Sequence, residues 1–189
     1  GVIMDKKVMP TKWLIDGIDR LGKSSLAQAI QNELGYHLMI HYDKPKSLKC
    51  YDYDRVHYQI QCNKTMFELL ETQLPLIVDR THLGEMVYSP LYRKFSGDYV
   101  LDLEKTFVES KPFTQRIDVR LILLTTSNFD MLTDDGQSFD FNRKEEEQKM
   151  FIEAFNKSKL QNKVIIDVHN GQGRYKSYEE ILKEALKIS

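Results

Sequence analysis

The stretch Trp13-Leu14-Ile15-Asp16-Gly17-Ile18-Asp19-Arg20-Leu21-Gly22-Lys23-Ser24-Ser25-Leu26 decides how the rest of this 189-residue chain is read. A short apolar run ends at a glycine, and helical spacing takes over at Leu26, Ala27, Ile30 and Leu34. The segment therefore predicts a buried parallel strand, a turn and a helix, with Gly35 placed to end the helix in a left-handed cap. Between strand and helix, residues 17–24 read Gly-x-x-x-x-Gly-Lys-Ser. Glycines there let the backbone approach a phosphate, while successive amides and the helix N-terminus form an anion cradle. In such a loop Lys23 spans the β- and γ-phosphates of ATP and the Ser24 hydroxyl ligates magnesium, roles that require adjacency at the first helical turn. A glycine-rich turn without a ligand is the rival reading. The position between a buried strand and an amphipathic helix favours a phosphate loop built from Gly17, Asp19, Arg20, Leu21, Gly22, Lys23, Ser24 and Ser25.

Outward from the loop, strands are predicted at residues 38–42, 74–79, 117–124 and 164–167, all short apolar runs. Pro75 falls near the start of its strand, where a missing amide donor matters least. Helices are predicted between them: a long one through Val56, Ile60, Phe67, Leu69 and Leu70, two at 86–95 and 99–108 split by Ser96-Gly97-Asp98, and a charged one at 143–158 carrying Met150, Phe151, Ala154 and Phe155 inward. Asp98 is placed to cap the second of the split pair, and Ser177 with Glu180 forms a capping box ahead of the last helix. The polar segment near 128–145 reads as a lid. Five strands alternating with helices predict a three-layer α/β sandwich with a five-stranded parallel sheet in one domain over residues 1–189, and ligands at the carboxyl ends of its strands.

Composition removes several classes. Lys and Arg number 27 against 28 Asp and Glu, a net charge of -1, so there is no global field to gather nucleic acid or an anionic membrane. No apolar run approaches bilayer length, and the first residues lack a signal-peptide core, so no membrane partner is expected. Cys50 and Cys62 form neither a zinc pattern nor a disulfide framework, and a reducing, cytoplasmic setting is the expectation.

Chemistry-bearing residues collect at predicted strand ends. Asp79 and Arg80 close the third strand, which should neighbour the first, so the carboxylate is placed for the metal's water shell and the guanidinium for a phosphate. An exposed ion pair is the alternative. Arg20, inside the loop, is placed to act as an arginine finger supplied in cis, or else is a solvated loop arginine. Tyr42-Asp43-Lys44-Pro45-Lys46 brings a carboxylate and two ammonium groups to the same crevice. Lys44 or Lys46 is placed to hold an acceptor phosphate and Asp43 to act as base toward a hydroxyl acceptor, against an equally good reading as a solvated loop. His37, His41, His57, His82 and His169 show no metal-ligand spacing and read as surface or packing residues. Tyr51, Tyr53, Tyr58, Phe67 and Tyr88 supply either a stacking wall or core. Arg143, ending the lid, is placed to close over donor phosphates, or is an ordinary first-turn residue.

The run from Ile15 to Ser25, with Asp19-Arg20 inside the loop, resembles the phosphate loop of thymidylate kinases, particularly the eukaryotic and viral kind. The family's Asp-Arg-Tyr motif stands here as Asp79-Arg80-Thr81, and lid, charged helix, strand and final helix follow in the family's order. The resemblance implies that Asp19 approaches the acceptor sugar's 3'-hydroxyl, Arg20 assists transfer, Arg80 binds the acceptor phosphate and Tyr88 sits near the base. It also has departures: the Arg-Glu-Pro element is reduced to Asp43-Lys44-Pro45, and no arginine lies between Arg55 and Arg80, which leaves Lys64 as a substitute grip on the monophosphate. A divergent, bacteriophage-encoded deoxynucleotide kinase fits that pattern.

The leading expectation is magnesium- and ATP-dependent phosphorylation of a thymidylate-like deoxynucleoside monophosphate, with a homodimer among the expectations for assembly. Two alternatives stand beside it. One is a kinase of hydroxyls, on a nucleoside or a hydroxymethylated base in DNA, with Asp43 as base; nucleic acid is a partner only in that case. The other is a nucleotide-binding module without turnover, against which Lys23, Ser24, Asp79, Arg20 and a lid argue together.

Overall fold

The computed structural model describes residues 10–42, 54–110, 117–132, 141–171 and 173–187. Strands β1 (Lys12–Asp16), β2 (Leu38–His41), β3 (Leu76–Asp79), β4 (Val119–Thr125) and β5 (Asn162–Asp167) form one sheet in the order β2-β3-β1-β4-β5. Every pairing is parallel. Helices α1 (Lys23–Leu34), α2 (Arg55–Leu70), α3 (Leu83–Tyr88), α4 (Tyr99–Glu109), α5 (Lys144–Lys157) and α6 (Tyr178–Leu186) cover the sheet, giving the predicted three-layer α/β sandwich. Parallel strands need crossovers, and here those crossovers are the helices that bury both sheet faces. No helix among the described residues is long and apolar enough to cross a membrane.

β1 lies at the centre, and all five of its residues are buried. Pairing of Ile15 with Asp79 on one side and with Ile122 on the other brings the carboxyl ends of β1 and β3 together, while β4 runs on to Thr125. Leu14, Ile15, Ile77, Val78, Leu121 and Ile122 are fully buried, each contributing about 1.5–3 kcal/mol of apolar burial. At the opposite end, Lys12 is buried as well, its ammonium donating to the carbonyls of Thr72 (2.6 Å) and Leu74 (2.7 Å). Phe151, Ala154 and Phe155 face the core from α5 as expected, and Met150 is only partly buried.

Several boundaries differ from the sequence reading for identifiable reasons. α3 begins at Leu83, directly after β3, and passes into a π-helical turn, Ser89–Arg93, with Pro90 in its first residues. The side chain of Asp98 makes no cap on α4. Instead the chain enters through Gly97, whose site is so close to α3 that a Cβ there would lie 2.1 Å from the Glu85 carbonyl oxygen. Gly35 ends α1 with φ 93° and ψ -169° rather than in the left-handed helical cap. Ser177 does cap α6, its hydroxyl accepting from the Glu180 amide at 3.2 Å. Phe67 is core: its ring meets His82 edge-on at 4.9 Å and Phe107 at 5.8 Å.

A buried histidine–carboxylate hydrogen bond ties these layers together. His82, just ahead of α3, meets Glu104 of α4 at 2.7 Å, with both side chains essentially inaccessible. Glu104 also accepts from the Ser158 hydroxyl at 2.9 Å and from the Lys159 amide, so one carboxylate joins α3, α4 and the turn into β5. Burial alone raises a carboxyl pKa, yet these donors bring Glu104 below its ordinary value. Glu104→Ala leaves an unpaired imidazole and two orphan donors and should cost about 3 kcal/mol in urea unfolding. Because the folded pKa is depressed, the wild-type advantage is complete above the ordinary value of 4.5 and fades as pH falls through the folded value. Unfolding free energies of the two proteins should therefore converge in acid; a constant gap would contradict this account.

Candidate active site

At the carboxyl end of β1, Asp16 is buried and points back across the loop that follows it. Its Oδ1 accepts from the Gly17 amide at 2.9 Å, and its Oδ2 accepts from the Thr81 amide (3.0 Å) and hydroxyl (2.8 Å). The Arg80 amide donates to the Ile15 carbonyl at 2.9 Å. Together these bonds bind the loop after β1 to the segment after β3. Burial raises the Asp16 pKa, and Lys23, Thr81 and the Gly17 amide oppose it. Gly17 has φ 141°, and a Cβ would stand 2.4 Å from the Leu124 carbonyl oxygen, so no other residue fits. Ile18 and Leu21 are buried and anchor the loop by its apolar side chains.

Lys23 is buried, and its ammonium donates to the carbonyls of Gly17 (2.9 Å) and Ile18 (2.8 Å). Burial lowers its pKa, while Asp19 and Asp16 act in the other direction. The Ser24 hydroxyl donates to Asp79 Oδ2 at 2.7 Å, across from the same carboxylate's bond to His41 Nδ1 at 3.1 Å. Asp79 Oδ1 is buried with no hydrogen-bond partner among the described residues. An orphaned carboxylate oxygen beside a serine hydroxyl fits magnesium, which keeps waters and phosphate oxygens as most of its ligands. Among the described residues no cluster of three His, Cys, Asp or Glu side chains forms a protein-only cage, and magnesium with phosphate does not require one.

A cavity of about 780 Å3 opens over the loop. It is lined by Asp19, Arg20, Gly22, Lys23, Ser24 and Ser25, by Asp79, Arg80 and Thr81, and by Tyr88, all anticipated except Thr81. Arg20 and Arg80 both adopt positive φ, 73° and 72°, one on each bank of the cavity. Such backbone costs about 1–3 kcal/mol per residue and persists where surrounding bonds hold it. Asp19 Oδ1 faces Arg80 at 3.4 Å and its Oδ2 faces the Lys144 ammonium at 3.5 Å. Tyr88 packs its ring edge-on against Phe151 at 5.7 Å and stacks near Tyr92 at 6.3 Å, and burial pushes its phenol up.

Other placements depart from the sequence reading. His41 is not a mere surface or packing residue, since it lines the cavity and bonds Asp79. Arg143 does not line the cavity; its guanidinium bonds Glu146 at 2.9 and 3.0 Å and lies over the Tyr92 ring at 5.3 Å. The neighbouring Lys144 turns inward instead, also meeting Glu147 at 3.3 Å. Lys64 is exposed and outside the cavity, whereas Tyr58, Gln59, Cys62 and Asn63 of α2 line it. Arg93 of the π-helical turn also lines the cavity. The sequence carried a signal for it, because Glu85, Ser89 and Arg93 recur at one-turn spacing. Asp43, Lys44 and Lys46 lie outside the described residues, as do Tyr51, Tyr53 and the middle of the lid segment.

Thr81 is the hydroxyl on which the Asp16 bridge depends. Thr81→Val removes one donor from a buried carboxylate without changing shape and should cost about 1–3 kcal/mol in urea unfolding. Thr81→Ser keeps the donor and should cost much less. Equal losses for the two variants would show that packing, not the hydroxyl, matters there.

The fold has solved counterparts. Bacillus subtilis YorR, solved in complex with phosphorylated GDP, superposes with a TM-score of 0.63 at 15% identity over 93% of each chain. Thymidylate kinase from Candida albicans matches with a TM-score of 0.57 at 13% identity over 96% of this chain and 92% of its own. The Ehrlichia chaffeensis thymidylate kinase gives 0.52 at 10% identity over 94% and 98%. No protein-family model and no curated protein matches the sequence. At these identities the likeness is one of architecture: the chain has the fold of P-loop nucleotide kinases.

Proposed function

We propose that the chain transfers the γ-phosphoryl group of ATP, bound with magnesium, to the phosphate of a thymidylate-like deoxynucleoside monophosphate. The observation that carries this reading is the single cavity onto which Lys23, Ser24 and Asp79 open together with Arg80 and Arg93. A donor-phosphate cradle and a second set of anion-binding groups thus share one space, as direct transfer between two phosphates requires. Four cationic side chains line it, Arg20, Lys23, Arg80 and Arg93, against the carboxylates of Asp19, Asp79 and Glu85, so magnesium would supply further positive charge between the donor and acceptor phosphates.

In the reaction an oxygen of the acceptor phosphate bonds to the γ-phosphorus, the bond from that phosphorus to the β–γ bridging oxygen breaks, and ADP leaves with the electron pair. The acceptor phosphate is already anionic near neutral pH, so no general base is needed. Gly17, Asp19, Arg20, Leu21, Gly22, Lys23, Ser24 and Ser25 hold the donor phosphates, with the Lys23 ammonium along the β- and γ-phosphates. Ser24 and Asp79 would hold magnesium, which would neutralise charge on the donor phosphates. Arg20 meets the transferring group, Arg80 takes the acceptor phosphate, and Asp19 approaches the acceptor sugar hydroxyl. Tyr88 offers a ring to the acceptor base. Burial lowers the dielectric around Lys23 and so strengthens its attraction for a bound phosphate, while Asp19 and Asp16 favour its charged form.

An ATP-consumption assay over deoxynucleoside monophosphates, free nucleosides and hydroxymethyl-containing DNA tests this reading. Monophosphates should be the substrates, with Lys23→Ala slower by about 10²–10³-fold and Arg20→Ala by about 10³-fold or more. Turnover of nucleosides or DNA with none of monophosphates would sink the proposal and favour a hydroxyl acceptor. ATP binding without turnover on any acceptor would leave a nucleotide-binding module.

A further inference from the structure

Helix α5 opens on a cation at the end of a helix least suited to one. Lys144 is its first residue, where the helix dipole is positive, and Glu145, Glu146 and Glu147 follow it with the favoured sign. The lysine side chain is also only 5% exposed, so burial opposes its charge a second time. Two carboxylates offset both costs: the ammonium meets Glu147 Oε1 at 3.3 Å and Asp19 Oδ2 at 3.5 Å. Glu147 is fully buried, and its other oxygen accepts from the Tyr92 hydroxyl at 3.2 Å. Burial raises the Glu147 pKa, and Lys144 is the first group that opposes it.

Lys144 does not line the cavity, whereas Asp19 does, so any effect of the lysine on a ligand passes through that carboxylate. Asp19 is shared between cations from two different elements, Lys144 on Oδ2 and Arg80 Nη2 on Oδ1 at 3.4 Å. Arginine and carboxylate left to themselves favour a bidentate pair, with two parallel bonds of about 2.7–2.9 Å. A carboxylate whose second oxygen is engaged by an ammonium does not turn to make that pair. The Arg80 side chain, 41% exposed, is thereby kept at the cavity surface for an anion.

We infer that Lys144 is a positioning residue for phosphoryl transfer: by holding one oxygen of Asp19 it fixes that carboxylate for the acceptor sugar and keeps Arg80 available to the acceptor phosphate. Without the ammonium, Asp19 closes onto Arg80 and both acceptor contacts are lost in one step. The donor side keeps its own bonds, from Lys23 to the loop carbonyls and from Ser24 to Asp79. Lys144 therefore governs acceptor binding without touching the acceptor. This inference rests on the phosphotransfer reading of the same cavity.

The test is steady-state kinetics with magnesium, ATP and the deoxynucleoside monophosphate that the wild type uses best. Lys144→Gln should raise KM for the monophosphate by about 10-fold or more, while KM for ATP stays within about 2-fold. In an Asp19→Asn background the same change should move the monophosphate KM by no more than about 2-fold, because the group it acts through has lost its charge. Lys144→Gln combined with Glu147→Gln removes both buried charges and lets the two amides bond each other. That pair should show the same split between the two KM values, and it decides the matter if Lys144→Gln alone does not fold. Equal rises in the two KM values, additive effects in the Asp19→Asn background, or no change in either variant overturn the inference and leave monophosphate transfer standing. A wild type that turns over no monophosphate overturns the phosphotransfer reading, and with it the role given to Lys144.

Discussion

Everything at the site hangs on the Asp16 carboxylate. It closes β1, accepts the first amide of the phosphate loop, and takes both the amide and the hydroxyl of Thr81. A buried carboxylate with fewer donors would be costly, and with these three it becomes a rigid link between two loops from neighbouring strands. The consequence is geometric. Ser24 on one bank and Asp79 on the other are held within hydrogen-bond reach before any ligand arrives, and the positive-φ backbones of Arg20 and Arg80 are held where relaxed loops would abandon them. Groups fixed in advance need no reorganisation when charge moves in the transition state.

The cavity wall opposite uses the same device with different residues. Glu85 is a buried carboxylate surrounded by donors, and Glu104 with His82 repeats the pattern one layer deeper. Three buried acids thus set the loop, the cavity wall and the helix layer behind it. Close contact at Gly97 against the Glu85 carbonyl shows how tightly α4 must pack for Tyr99 to reach that carboxylate. Stability and site geometry are consequently carried by the same bonds, and a substitution in α4 can act on the cavity wall without reaching the cavity itself.

The strand, loop and helix from β1 to α1, the five parallel strands and the position of Asp79-Arg80 at a strand end were legible in the sequence because each depends on local pattern: an apolar run, a glycine, then helical spacing. Residues whose role depends on helical phase or on tertiary distance were not. Arg143 and Lys144 are adjacent, yet one step along a helix rotates a side chain by about 100°, so Lys144 reaches Asp19 while Arg143 faces Glu146 and Tyr92. His41 looked like any strand-end histidine until the β2–β3 register set it opposite Asp79. Arg93 recurs at one-turn spacing with Glu85 and Ser89, but that spacing alone does not say that this face lines the cavity. Lys64, the expected substitute on α2, is exposed, and the arginine that lines the cavity on this side comes from another element.

The central claim is that a phosphoryl group passes directly from ATP, over the Lys23–Ser24–Asp79 cradle, to a phosphate on a second nucleotide in the same cavity. Phosphorus NMR of the enzyme with magnesium, ATP and deoxynucleoside monophosphate tests it most directly, because the chemical identity of the product is read without coupling enzymes. The account predicts paired α and β resonances of a new deoxynucleoside diphosphate growing as the monophosphate signal falls, in step with ADP. Inorganic phosphate as the sole partner of ADP, or an unchanged monophosphate beside a new phosphate ester, would contradict it.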